Sequence, residues 1–260
     1  MISSDFRTEA RRKLSGKWGK AVCIFLAYVA LTFVIKFIEG LFPDSMGQLF
    51  NIVNTIINVP LSFGLVFAFL KLFNDEDVKA FDFATLGFSN FGKSWGVTFQ
   101  IFLKMILPEI AVIVAFVILI VGYMSMGIMA ISTQSAGASV FSNFMLIIGI
   151  ILLVASIIWL ITKSYYYQLA ILVAIDNPDM SGADAVEESQ RLMTGKRASL
   201  FCLELSFIGW AILSVATMGI GFLWLIPYVH LAKIAFYKYA LGNTDNVEVI
   251  TSDNGTSENM

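Results

Sequence analysis

The sequence predicts an all-α membrane protein with six transmembrane helices. They form three repeated pairs, each preceded by an interfacial amphipathic helix. Three observations carry this. Of the 260 residues 58% are hydrophobic, only 14% are charged, and the mean hydropathy is +0.79. An ordinary soluble domain carries about 25% charged residues and could not bury so much apolar surface. Six apolar stretches reach the roughly 20 residues that cross a bilayer. Finally, lysines and arginines collect on alternate connections only.

The apolar stretches cover residues 21–42, 49–72, 97–121, 143–175, 200–217 and 221–241. The first follows a basic segment, as a signal peptide would. It is too long for a signal-peptide core, however, and Pro43-Asp44-Ser45-Met46 offers no small-x-small cleavage pattern, so a retained helix is expected. The fourth has two readings. It is either one helix over 143–175 that projects from the membrane, or a shorter span over 153–175 preceded by a re-entrant piece; the spacing of the internal repeat favours the shorter span, which places Lys163 at membrane depth. The uncharged segment 122–143 is correspondingly a loop or a re-entrant element. The fifth and sixth stretches meet at Met218-Gly219-Ile220-Gly221, a tight hairpin turn.

Charge sets the topology. Arg7, Arg11, Arg12, Lys13, Lys17 and Lys20 precede the first span. Lys71, Lys79 and Lys93 lie between the second and third, and Arg191, Lys196 and Arg197 between the fourth and fifth. Lys233 and Lys238 close the sixth. Fourteen of the 17 basic residues thus lie on one side, and the opposite connections hold none. Both termini are expected in the cytoplasm. Formal net charge is −2.

The cytoplasmic segments are amphipathic. Phe6, Ala10, Leu14 and Trp18 recur every four residues among arginines and lysines, which suits an interfacial helix against anionic headgroups. Ser181-Gly182-Ala183-Asp184 fits a capping box, followed by the narrow face Ala185, Ser189, Leu192 and Met193. The segment 77–88 repeats this more poorly, with Val78, Phe81, Thr85 and Phe88.

Leu14-Ser15-Gly16-Lys17-Trp18, Phe91-Gly92-Lys93-Ser94-Trp95 and Met193-Thr194-Gly195-Lys196-Arg197 each join an amphipathic stretch to a spanning helix. Cys23 and Cys202 both stand seven residues after their glycine, and Pro60 and Lys163 both 32 residues before the next repeat's glycine. The domain organisation read from this spacing is one membrane domain over 1–241, with repeats of about 1–75, 76–178 and 179–241. A polar tail, 242–260, is expected to be disordered.

Few residues point to chemistry. Gly87-Phe88-Ser89-Asn90-Phe91-Gly92-Lys93-Ser94 satisfies the P-loop pattern, but no buried strand precedes it and the following helix enters the membrane. Lysine and tryptophan at a membrane boundary anchor to headgroups and interface. Arg11, Arg12, Lys17, Trp18, Lys93, Trp95 and Lys196 are therefore read as lipid-interface anchors. His230 is the only histidine, which removes every zinc or iron site that needs two. The two cysteines are read as small buried side chains. Charges at membrane depth mark functional candidates. Lys104 and Glu109 flank Pro108, whose missing donor frees carbonyls. With Lys163 and His230 they form the candidate intramembrane polar site. Lys36 and Glu39 can pair on one helix face.

Glu188-Ser189-x-x-Leu192-Met193-x-Gly195-Lys196, continued by Leu205-Ser206-Phe207-Ile208-Gly209-Trp210, Gly219-Ile220-Gly221 and Pro227-Tyr228, resembles the signature of the DUF975 family. So does Arg7-x-x-Ala10-Arg11-x-x-Leu14-x-Gly16-x-Trp18, and so does Phe63-Gly64 with Phe83 and Gly87-Phe88. The resemblance implies a multi-pass protein of a bacterial plasma membrane and supplies no catalytic residues. More distantly, the repeated unit resembles the membrane domain attached to some glycerophosphodiester phosphodiesterases. The expected role is non-enzymatic interaction or scaffolding in the cell envelope, with a small-solute or lipid transporter as the alternative. The expected partners are anionic lipid headgroups and a membrane protein or second copy. No cofactor, metal, nucleotide or nucleic acid is expected.

Overall fold

A computed structural model describes the backbone of residues 3–43, 47–131 and 136–255, and the side chains of those residues outside 126–142 and 243–255. Every regular element among the described residues is an α-helix. In order they are α1 (Ser3–Leu14), α2 (Trp18–Glu39), α3 (Gly47–Phe73), α4 (Asp82–Ser89), α5 (Phe91–Ile131) and α6 (Ala136–Tyr167). Then follow α7 (Ala170–Asp176), α8 (Gly182–Met193), α9 (Arg197–Leu205), α10 (Ile208–Ala216) and α11 (Phe222–Gly255). Among the described residues five segments are long and apolar enough to cross a membrane: Trp18–Glu39, Gly47–Phe73, Phe91–Ser125, Asn143–Asp176 and Arg197–Ala216. The sixth expected span, in α11, is not among them, because His230, Lys233 and Lys238 dilute its apolar run.

The fourth span follows the longer of its two readings, not the shorter one that the repeat spacing favours. Helix α6 runs unbroken from Ala136 to Tyr167, so no re-entrant piece separates 143 from 153, and a short break at Gln168–Leu169 leads into α7. Residues 122–131 and 136–143 are likewise helical, as extensions of α5 and α6. Residues 132–135, and the side chains of the polar tail after Gly242, lie outside the described residues.

The chain forms two compact units. The first, Met1–Thr98 with Leu169–Met260, holds most of the buried core: α3 buries Leu61, Phe63, Phe69 and Leu72, and α11 buries Leu231, Phe236 and Tyr237. Two short helices dock on long ones, α1 against α11 and α4 against α3, and α8 packs against the short α7. The amphipathic faces explain two of these contacts. Phe6, Ala10 and Leu14 of α1 are buried, as are Ala185, Ser189, Leu192 and Met193 of α8. Ser181 caps α8 by accepting from the Asp184 amide at 3.2 Å.

The third contact corrects the expected face of α4. Phe81 and Phe88 are exposed, whereas Phe83 and Gly87 are buried with Val78. The reason is a glycine crossing. A Cβ on Gly64 of α3 would overlap the Phe83 carbonyl oxygen, and one on Gly87 would overlap that of Pro60. Helix backbones touch there, and a hydrophobic pattern does not mark backbone contact. The cysteines also depart from expectation. Cys23 and Cys202 are both exposed, each on the outward face of its helix.

The second unit, Phe99–Gln168, holds the outer length of α5 and almost all of α6. The two helices approach closely where Gly122 faces Leu146 and Gly149 faces Leu119. Apolar side chains cover their other faces: only 17% of the α5 span and 11% of the α6–α7 span are buried, against 56% in α3. A surface so apolar belongs in lipid or against another membrane protein.

Candidate functional site

The first and third Gly-Lys junctions share a backbone turn, whereas Gly92 of the second already lies in α5. Gly16 and Gly195 both adopt a left-handed φ of +76°, which lets the chain turn sharply from an amphipathic helix into a spanning one. Each following lysine turns back into the protein. The Lys17 ammonium donates to the Leu72 carbonyl at 3.4 Å, Lys93 to that of Asn177 at 2.5 Å, and Lys196 to that of Ala240 at 2.9 Å. Leu72 is the penultimate residue of α3, and Asn177 caps α7. Terminal carbonyls carry the negative end of the helix dipole and lack partners in their own helix, so a cation is favoured there. The three lysines are thus held in protein hydrogen bonds. Burial, with Arg191 adding to it, holds the Lys196 ammonium below the usual lysine range.

The first junction carries an extra charge network. Asp75, itself in a left-handed turn at φ 66°, pairs with Lys13 at 2.6 Å and with Lys17. Those two ammonium groups hold its carboxyl down at about 2. Lys20 pairs with Asp77 at 2.6 Å, and Arg12 takes both carboxylate oxygens of Glu9.

Within the P-loop pattern two amides are committed to local helix-type bonds. Gly87 ends in α4, the Asn90 amide donates to the Gly87 carbonyl and the Ser94 amide to that of Asn90, and α5 begins at Phe91. A phosphate cradle needs an open loop at this place. Lys93 reaches Asn177 instead.

Arg11 and Trp18 come together with residues that no motif singled out. They line a cavity of about 420 Å³ whose other walls include Trp210, Leu213, Trp224 and Tyr228. Tyr228 fastens it. Its hydroxyl donates to the Arg7 carbonyl at 3.2 Å and accepts from the Arg11 guanidinium at 3.4 Å. Its ring lies 6.1 Å from that of Trp18 and 5.1 Å, edge on, from that of Phe207. Trp95 occupies the corresponding place after the second junction. Its indole nitrogen is buried without a partner, beside Asn51 and Thr55 in a cavity of about 260 Å³.

The candidate intramembrane residues fall in both units, Lys104, Glu109 and Lys163 in the second and His230 in the first. Lys104 and Glu109 are exposed on α5 while Pro108 between them is buried, and no ion pair joins the two. Lys163, half-buried on α6, lies 5.8 Å over the Tyr166 ring. His230 stacks on Phe69 in the first unit with ring centroids 5.1 Å apart. The expected pair Lys36 and Glu39 does form, at 2.8 Å, and Lys233 pairs with Glu204 at 2.7 Å.

These features, a multi-helix membrane bundle with junctions at 14–18, 91–95 and 193–197, extend over the same length as one family model, described as a protein of unknown function, which matches residues 1–243. The chain belongs to the DUF975 family. The match covers every helix that bears a site residue and stops near the polar tail. Neither the curated proteins nor the solved structures contain a significant match. For this DUF975 chain, therefore, function is argued from the site alone.

Sequence reasoning missed Arg7, Asp75, Trp210, Trp224 and Tyr228 as site residues. Tyr228 stood next to Pro227 in the family signature. The remaining signal was diffuse: tryptophans at 18, 210 and 224 that meet only once α1 packs on α11.

Proposed function

We propose that this DUF975 protein is a non-enzymatic membrane protein that works through lateral contacts, with lipid and with another membrane protein or a second copy. It resides in a bacterial plasma membrane with both termini cytoplasmic. On this reading α11 supplies a sixth span, and three repeated pairs build the domain. The shared turn at Gly16 and Gly195 and the docking of α1 on α11 and of α4 on α3 support that repeat. The repeated unit is then akin to the membrane domain attached to some glycerophosphodiester phosphodiesterases.

The observation that carries the functional reading is the pair α5 and α6. Their apolar faces are overwhelmingly uncovered, and Lys104 and Glu109 lie on the outside of α5, apart from each other. A transporter needs its intramembrane charges to face a wet interior path. Single cysteines at 104 and 109, in a Cys23→Ser/Cys202→Ser background, test this. In reconstituted vesicles they should resist a water-soluble thiol reagent. Rapid labelling at both would favour the transporter of small solutes or lipids.

A further inference from the structure

We propose that the groove between the α1–α2 junction and the α10–α11 hairpin is a binding site for one anionic phospholipid. Its phosphate is held by Arg11, with Arg7 one helical turn behind adding its charge, and an acyl chain lies along Trp210, Leu213 and Trp224. The inference deepens the reading of the chain as a lipid-contacting membrane protein and rests on it.

Unmatched charge is the first argument. Most cations of the amphipathic segment have a carboxylate: Arg12 has Glu9, Lys13 and Lys17 have Asp75, and Lys20 has Asp77. Arg7 and Arg11 have none within 4 Å among the described residues. Arg11 meets only the neutral Tyr228 hydroxyl, at 3.4 Å, and the Arg7 Nε is buried with no hydrogen-bond partner. The two lie one helical turn apart, so both charges can bear on one anion. A buried cationic donor without a partner is costly. A guanidinium matches the oxygens of a phosphodiester in a two-pronged geometry.

Shape and polarity make the second argument. The cavity, about 420 Å³, begins at Arg11 and is otherwise walled mostly by aromatic and aliphatic side chains, with the small Ser214, Thr217 and Gly221 among them. Trp210, Leu213 and Trp224 are each about half exposed, so the groove opens sideways from the helix bundle rather than into an enclosed core. A charged end and an apolar, laterally open trough are complementary to a lipid headgroup and chain. Tryptophan and arginine are the residues that hold lipid at that boundary. Tyr228 ties the Arg7 backbone and the Arg11 side chain to α11, which fixes the charged end relative to the trough.

The test uses the full chain carrying Trp95→Phe and Trp159→Phe, which leaves Trp18, Trp210 and Trp224, all in the groove. It is reconstituted in phosphatidylcholine bilayers with a small fraction of brominated phosphatidylglycerol or brominated phosphatidylcholine, and tryptophan quenching is titrated. The expected result is a relative association roughly fivefold or more higher for the anionic lipid, since each arginine contributes on the order of 1 kcal/mol. The preference should fall to near one in Arg7→Gln/Arg11→Gln, with its fold checked by circular dichroism and gel filtration. Equal quenching by the two lipids in the unsubstituted-arginine protein would overturn the site while leaving the membrane reading intact. So would a preference that survives loss of both arginines. Absence of quenching by either lipid would overturn the membrane reading and the site with it.

Discussion

At the scale of single residues, small groups set the packing and charges set the response to pH. Gly87 touches the Pro60 carbonyl, so Gly87→Ala forces α3 and α4 apart. Overpacking of this kind costs about 1–3 kcal/mol or more. A lower midpoint of thermal unfolding in detergent is expected, whereas Gly92→Ala, in open space, should leave it nearly unchanged. Asp75 gives a pH signature. Its folded value is depressed to about 2 from an ordinary 3.8. The folded state therefore favours the carboxylate, and the stability this contributes is present above 3.8 and is lost as pH falls toward 2. Unfolding followed between pH 6 and pH 2 should show a shallower acid loss in Asp75→Asn than in the parent. An identical slope would mean that the Lys13 and Lys17 contacts do not persist in solution.

At the scale of elements, the junctions make a matched pair of predictions. Gly16 and Gly195 share a left-handed φ, and neither has an atom near enough to meet an added Cβ. Alanine at either site should therefore be strained by conformation alone, by about 1–2 kcal/mol. The two variants should lose similar amounts of stability in the same denaturant titration, and a large difference would argue against equivalent junctions. Helices α1 and α8 were legible because their apolar positions recur at helical spacing and the structure buries those same side chains. The face of α4 was illegible because its contact is made by glycine and backbone. The break between α6 and α7 at Gln168–Leu169, and that between α9 and α10 at Ser206–Phe207, were also hidden. Neither pair contains the glycine or proline that usually signals an interruption.

At the scale of the whole molecule, alternating charge and apolar length gave most of the architecture, since a bilayer imposes both. The topology itself is open to a direct check. A reporter fused after residue 46 should read as outside and one fused after residue 80 as inside, and the reverse would overturn the charge argument. The candidate site was less legible than the fold. Lys104, Glu109 and Lys163 drew notice because charge is rare in apolar runs, yet no ion pair joins Lys104 to Glu109 and Lys163 lies over the Tyr166 ring. The groove of Arg11 and Trp18 needed residues that only folding brings close.

That closeness bears on how the chain is made. Arg11 and Tyr228 are 217 positions apart, and α1 completes its packing only on α11. Helix α1, made before α11, is thus among the last to complete its packing. Until α11 is synthesised, α1 lacks its main partner and has only its smaller contacts with α3 and α9, and the bilayer interface is the natural shelter. A nascent chain halted before residue 222 should keep α1 accessible to protease, and one released after residue 243 should protect it.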